Sequence, residues 1–198
     1  MDGRLRPRRI LLCVAGIVAT VALASACGGG DGTAKAAADP PGLVTYRSGG
    51  LTFRHPAAWT AYPFRWAGEL HFRPLVYLST QPVQNPCSTH GNTTSCGLPV
   101  RRLRPGGVLV VWQVNGIPAM RLGQGARIRV DGHPATRVVT SSGVCKKVGA
   151  DRTIQVVVET SPTPSPLTYF TGCLRGPNLA QNERRLDDLL VSARISSQ

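Results

Sequence analysis

An apolar run behind a basic N-terminus is the feature that most constrains what this chain can fold into. Arg4, Arg6, Arg8 and Arg9 precede an apolar run of 14 residues over 10–23. A membrane-spanning helix needs roughly 20 such residues, so the run is predicted to be a cleaved export signal. The Arg8-Arg9 pair leaves both general secretion and twin-arginine export open. The rest of the chain is therefore expected to fold outside the cytoplasm.

The residues after this run, Leu23-Ala24-Ser25-Ala26-Cys27, resemble the lipobox of bacterial lipoproteins, although Leu is the favoured residue where Ala24 stands. The resemblance implies cleavage after Ala26 and acylation of Cys27, with palmitate among the acyl chains. Two or three acyl chains hold a protein at a bilayer effectively permanently. The expected location is the extracytoplasmic face of the cell membrane, with the lipid bilayer as a partner through Cys27. An ordinary secretory signal cut near Ala26 is the alternative.

The composition divides the chain into three parts. Residues 1–26 form the signal peptide, and residues 27–41, rich in Gly, Ala and Asp, are predicted to be a flexible linker. Residues 42–198 are long enough to bury a single core and are predicted to form one extracytoplasmic domain. Within that domain, residues 81–106 form a long insertion rich in Pro, Asn, Ser and Thr. An insertion of this length is a candidate recognition loop.

Four cysteines, Cys87, Cys96, Cys145 and Cys173, remain in the predicted domain, an even number for an oxidising compartment. We favour the disulfides Cys87–Cys96 and Cys145–Cys173 among the three possible connectivities. The second bond requires Cys145 to lie in a loop, because the flanking strands are counted as second neighbours. A zinc site made of Cys87, His90 and Cys96 lacks a fourth ligand, and no metal is predicted.

Hydrophobic patterns predict a sheet and one helix. Residues 108–114 are almost continuously apolar, as expected for a central strand buried on both faces. Asp131-Gly132 joins two alternating segments and predicts a type I′ hairpin. The pattern over 177–193 predicts an amphipathic helix, capped by Asn178, that packs across the sheet. Further strands are predicted over 43–47, 51–55, 59–64, 73–80, 126–130, 134–141, 153–160 and 167–174.

The segment LTFRHPAAW at residues 51–59 resembles the opening of the PsbP-like superfamily, which includes the photosystem II extrinsic protein and bacterial envelope lipoproteins. A proline closes this strand, and a tryptophan follows that is large enough to plug the sheet edge. The resemblance implies an α+β fold, an antiparallel β-sheet flanked by helices, with the C-terminal helix packed on it. It also implies no common enzymatic activity, since members mostly bind or assist assembly.

The predicted mature chain is strongly basic. Removing residues 1–26 takes four of the 23 basic and one of the 10 acidic residues, which leaves a net charge of +10. Such a chain is attracted to anionic headgroups or anionic wall polymers. Nucleic acid is not an expected partner, because export removes it and no recognised nucleic-acid motif is present. The candidate basic patch consists of Arg101, Arg102, Arg104, Arg127 and Arg129.

Motifs of catalysis are missing from the sequence. It contains no Gly-x-Ser-x-Gly, no His-Glu-x-x-His and no glycine-rich phosphate loop. The carboxylates Glu69, Asp131, Asp151 and Glu159 show no spacing that brings two of them together. The function predicted is a non-catalytic binding module for an envelope ligand or protein partner, with no cofactor. A structural or assembly protein of the envelope, and an enzyme without a recognisable motif, are the alternatives.

Overall fold

The computed structural model describes residues 42–64, 72–91, 93–115, 125–160 and 167–196. They belong to one compact unit, Ala38–Gln198. Their helices are a 3₁₀ helix, Val144–Val148, and one α-helix, α1 (Leu179–Ser192). Their strands are β1 (Leu43–Ser48), β2 (Leu51–Pro56), β3 (Thr60–Pro63), β4 (Phe72–Ser79), β5 (Cys87–His90), β6 (Thr93–Cys96), β7 (Val108–Asn115), β8 (Ala126–Val130), β9 (His133–Thr140), β10 (Arg152–Val158), β11 (Leu167–Leu174) and β12 (Arg194–Ile195).

Seven strands form the main sheet in the order β3-β4-β7-β11-β10-β9-β8, with every neighbouring pair antiparallel. A smaller antiparallel sheet has the order β1-β2-β12, and β5 and β6 form a separate hairpin. The α+β class predicted from the sequence is confirmed. The predicted C-terminal helix α1 packs on one face of the main sheet, and the 3₁₀ helix packs on the other.

The face of the main sheet that carries α1 and the small sheet, here called the first face, holds the larger core. Trp112 of β7 lies between Phe170 of β11, at 5.0 Å between ring centroids, and Phe53 of β2, at 6.1 Å. Leu186 and Leu189 of α1 are buried in the same cluster. Burial of aromatic and aliphatic area of this kind is the main stabilising contribution to a fold. The predicted burial of the central strand on both faces is confirmed for residues 108–112.

Close packing of α1 depends on a glycine in the middle of β11. A Cβ built on Gly172 would stand only 2.5 Å from Leu186 Cδ1. Leu186 is fully buried, so its side chain has little room to move aside. The missing side chain at this position lets the helix approach the sheet.

Salt bridges join α1 to strands β9 and β10 of the main sheet. Arg137 of β9 contacts Glu183 at 2.8 Å and Asp187 at 3.2 Å, and Arg152 of β10 also pairs with Glu183. Burial alone would raise the pKa of the Glu183 carboxyl, but hydrogen bonds from the two arginines outweigh burial and lower it. Asn178 occupies the N-cap position as predicted, yet its side chain makes no capping hydrogen bond, which corrects that part of the prediction.

The turn between β8 and β9 has the conformation predicted from Asp131-Gly132. Both residues have positive φ, 51° and 78°, as a type I′ turn requires. The Asp131 carboxylate also accepts a hydrogen bond from the backbone N–H of Ile195, at 2.7 Å. The hairpin turn is thereby joined to β12 of the small sheet.

Candidate binding site

The face of the main sheet opposite α1, here called the second face, carries a row of partly polar side chains. Tyr77 of β4 pairs with Val111 of β7, Val111 with Thr171 of β11, and Thr171 with Gln155 of β10. Directly paired residues of antiparallel strands project to the same face. These four side chains therefore stand side by side. Gln113, two residues beyond Val111, projects to the same face in the next row.

The hairpin β5–β6, the loop after it and the 3₁₀ helix cover part of the second face. Val100, Leu103 and Val148 from this cover are buried with Leu109 of β7. A cavity of about 220 Å³ remains at the edge of the cover. Its polar lining consists of Tyr77, Gln113, Gln155 and Thr171. The rest of its lining consists of Pro74, Cys96, Gly97, Leu98, Val111 and Val144.

Tyr77 is the least expected residue in the lining of this cavity. The Tyr77 side chain is only 3% exposed, and its hydroxyl finds no hydrogen-bond partner among the described residues. Burial raises the pKa of this phenol far above its ordinary value of 10.0. The group is therefore neutral and able both to donate and to accept a hydrogen bond. Phe64 packs edge-on against the ring at 5.8 Å and holds its orientation.

The two glutamines add further neutral hydrogen-bonding capacity. Gln113 and Gln155 are half-buried, and no hydrogen bond joins their side chains to other described residues. Each carboxamide offers two N–H donors and one carbonyl acceptor. Together with the Tyr77 hydroxyl, they present an uncharged polar surface bordered by apolar side chains. Such a surface suits an uncharged polar group that brings its own donors and acceptors.

Both predicted disulfides are confirmed, with S–S distances of 2.09 Å for Cys87–Cys96 and 1.97 Å for Cys145–Cys173. Cys87 and Cys96 are directly paired residues of β5 and β6, and Cys96 lines the cavity. Cys145 lies in the 3₁₀ helix rather than on a strand, as the pairing requires, and fastens that helix to β11. The first bond also occupies both thiolates that the alternative zinc site with His90 would need.

The five arginines of the candidate basic patch lie in two groups. Arg101, Arg102 and Arg104 are exposed in the loop before β7, whereas Arg127 and Arg129 are exposed on β8. Strands β7 and β8 are four steps apart in the sheet, which is about 19 Å at roughly 4.8 Å per step. The described structure therefore does not bring all five guanidinium groups to one place.

The two arginines of β8 are also engaged within their own hairpin. Arg127 donates to the Thr136 hydroxyl at 2.9 Å, and Arg129 donates to the Gly132 carbonyl at 2.6 Å. The loop arginines are the more available group for an anionic partner.

Several predicted features lie outside the described residues: the signal peptide 1–26, Cys27, the linker 27–41 and Glu69. Among the described residues, no group of three or more His, Cys, Asp or Glu side chains is placed to hold a metal ion. The same residues include no helix with the length and apolar character required to cross a membrane.

No protein-family model matches the chain, and no curated protein is significantly similar to it in sequence. The candidate site therefore depends on the geometry of the chain itself.

The polar lining of the cavity was missed by sequence reasoning, which predicted residues 73–80, 108–114 and 153–160 only as strands. The available signal was a glutamine within the apolar part of each of two strands. Gln113 interrupts the apolar run of β7, and Gln155 interrupts the β-branched run of β10. Such residues in buried strands indicate either an internal hydrogen-bond network or a binding surface. The sequence alone does not show that the two glutamines flank the same cavity.

Proposed function

We propose that the protein is a non-catalytic binding module, held at the extracytoplasmic face of the membrane by acylated Cys27. The cavity on the second face binds an uncharged polar group of an envelope ligand or partner. The observation that carries the proposal is the buried Tyr77 hydroxyl that has no partner among the described residues. Leaving a buried polar group unpaired costs about 1–3 kcal/mol, and a bound donor or acceptor would recover that cost.

The size of the cavity supports recognition of part of a larger molecule. Small-molecule sites enclose roughly 300–1,000 Å³, whereas this cavity has about 220 Å³. A group that projects from a protein or a wall polymer needs less space than a whole enclosed ligand. The hairpin β5–β6 stands at the rim and offers an exposed surface for the remainder of such a partner. A carrier that encloses its ligand is less consistent with this geometry.

The disulfides and the targeting pattern support the proposed location. Disulfides persist in oxidising compartments outside the cytoplasm, and the described domain holds two of them. An exported chain with a lipid anchor would meet this condition. The antiparallel sheet with a C-terminal helix is also compatible with a PsbP-like fold, which we retain as part of the proposal. The loop arginines Arg101, Arg102 and Arg104 would strengthen contact with an anionic part of the partner.

The test is native mass spectrometry of the full chain, extracted from its own membrane in mild detergent. The wild-type chain is expected to carry a stoichiometric adduct or protein partner. Replacing Gln113 and Gln155 by methionine removes the hydrogen-bonding groups at similar volume and is expected to abolish that species. Replacing the exposed Gln84 and Gln181 by methionine is the matched control and should retain it. A wild-type chain without any companion, or equal loss in both variants, would contradict the proposal.

A further inference from the structure

Three arginines lie close together on the outward face of the small sheet, the face turned away from the main sheet. Arg47 of β1 and Arg194 of β12 both pair with Thr52 of β2, so they flank the central strand in one row. Two strand spacings separate them, about 10 Å. Arg54 lies on β2, two residues beyond Thr52, at about 7 Å along the strand. The three side chains project to the same side.

These guanidinium groups are accessible. Arg47 and Arg54 are exposed and form no salt bridge with a described carboxylate. Arg194 is 63% exposed, with Asp131 at 3.6 Å from its Nε. Two of the three positive charges are therefore not neutralised by described carboxylates, and the third is only partly neutralised.

A hollow of about 260 Å³ lies beside these arginines, between the small sheet and α1. Arg54 and Arg185 contribute two positive charges to its lining, and Asp188 contributes one negative charge. Leu43 and Val191 supply apolar surface at the same place, and Val191 is 77% exposed. A basic surface next to exposed aliphatic side chains has the composition of a membrane-surface contact.

The described part of the chain begins at this surface. β1 begins at Leu43, which lines the hollow, and Cys27 lies 16 residues earlier. Even a fully extended segment of that length spans at most about 58 Å. The surface around Leu43 is thus the part of the described domain to which the anchored segment connects directly.

We propose that this arginine face, made of Arg47, Arg54, Arg185 and Arg194, lies on the anionic lipid headgroups of the membrane that carries the Cys27 anchor. Guanidinium groups bind lipid phosphates through paired N–H donors, and the exposed Val191 enters the headgroup region. The inference rests on the proposed function, because it assumes the anchor. It also orients the domain: the small sheet and the second face lie on opposite sides of the main sheet. The cavity of the second face then points away from the bilayer.

The experiment uses the full chain, with acylation of Cys27 verified by mass spectrometry, reconstituted into phosphatidylcholine vesicles with or without phosphatidylglycerol. A fluorophore at Val191→Cys reports contact through quenching by a nitroxide on the lipid headgroup. A second chain labelled at Lys146→Cys, exposed on the 3₁₀ helix, reports the opposite side. Strong quenching at position 191 is expected only with phosphatidylglycerol, and weak quenching is expected at position 146.

The variant with Arg47, Arg54 and Arg194 all changed to glutamine should lower the ratio of docked to undocked domains, read from the quenching at position 191, on the order of a hundred-fold, at about five-fold per arginine. The matched control changes Arg101, Arg102 and Arg104 to glutamine, which removes the same charge from the loop over the second face. This control should keep the quenching of the unsubstituted chain.

Equal loss of quenching in both variants would overturn the inference, since net charge alone would then explain the contact. Absence of quenching at position 191 in an acylated chain would overturn it as well. A chain without acyl groups on Cys27 would instead contradict the proposed function on which the inference rests. The separate mass measurement distinguishes these two failures.

Discussion

Tyr77→Phe is the most direct test of the binding site, because it removes one oxygen atom and keeps the ring. The ring packs against Phe64 and contributes to the cavity lining, and the buried hydroxyl has no hydrogen-bond partner among the described residues. In most proteins the loss of a buried tyrosine hydroxyl removes a hydrogen bond and lowers stability. Here the hydroxyl makes no such bond within the described residues. The substitution is therefore expected to raise the stability of the free protein.

The magnitude follows from the cost of desolvating an unpaired polar group, about 1–3 kcal/mol. The missing oxygen enlarges a cavity that already exists, so only a small part of this gain is offset. We expect Tyr77→Phe to raise the free energy of unfolding by about 1 kcal/mol, which for a domain of this size is roughly 2–4 °C in Tm. The same change should abolish capture of the partner, because it removes a hydrogen bond that the partner completes.

The assay compares urea unfolding and partner capture for the wild type, Tyr77→Phe and Tyr46→Phe. Tyr46 packs on Phe53 at 5.0 Å in the core of the first face, so its substitution removes the same atom far from the cavity. The control should leave capture unchanged. A Tyr77→Phe protein that is less stable than the wild type would refute the reasoning, since the hydroxyl would then have a partner in the free protein. Greater stability with unchanged capture would show that the cavity is not the recognition site.

Three further changes test how α1 and the 3₁₀ helix are held on the main sheet. Gly172→Ala is expected to lower the free energy of unfolding by about 1–3 kcal/mol, because the new Cβ would meet Leu186 Cδ1 at 2.5 Å; an unchanged urea midpoint would contradict this packing. Replacing Cys145 and Cys173 by alanine should cost about 3.6 kcal/mol in the chain-entropy model, measured by urea unfolding without reductant; a loss below 1 kcal/mol would contradict the entropic account. The pKa of the Glu183 carboxyl is lower in the folded state than its ordinary value of 4.5. The ionised carboxylate therefore contributes fully to stability above pH 4.5, and this contribution is lost as the pH falls through the folded pKa. In Glu183→Gln the free energy of unfolding should fall less steeply than in the wild type as the pH is lowered below 4.5. An unchanged dependence of this free energy on pH would refute the role given to Glu183.

The local structure of this chain could be predicted from its sequence because short-range rules determine it. Asp131-Gly132 forms the predicted turn because both residues tolerate positive φ. The amphipathic pattern of 177–193 produced α1 in nearly the predicted position, Leu179–Ser192. The sequence left three disulfide connectivities open; the favoured one is confirmed, with Cys145 in the 3₁₀ helix rather than on a strand.

The arrangement of the elements could not be predicted, because it depends on pairings between distant residues. The sequence does not show that β7 lies between β4 and β11, and this order brings Tyr77, Gln113 and Gln155 together. The insertion 81–106 was predicted to be a loop, but it contains the short hairpin β5–β6. The directly paired residues Cys87 and Cys96 of this hairpin form a disulfide. Its Ser- and Thr-rich strands lack the apolar alternation that indicates a strand. Pairing between distant strands decides the first case, and a local hairpin closed by a disulfide accounts for the second.

The two disulfides lie on the face of the main sheet that carries the unpaired Tyr77 hydroxyl, and their placement accounts for how the fold tolerates that group. The first face is held by an aromatic and aliphatic core around Trp112, which needs no covalent support. The second face has a smaller apolar cluster and a polar row, so burial stabilises its cover less. Both disulfides lie in that cover: one fastens the 3₁₀ helix to β11, and the other closes the hairpin at the cavity rim. Covalent restraint there compensates for the smaller apolar area, because polar side chains occupy part of the face that would otherwise supply it.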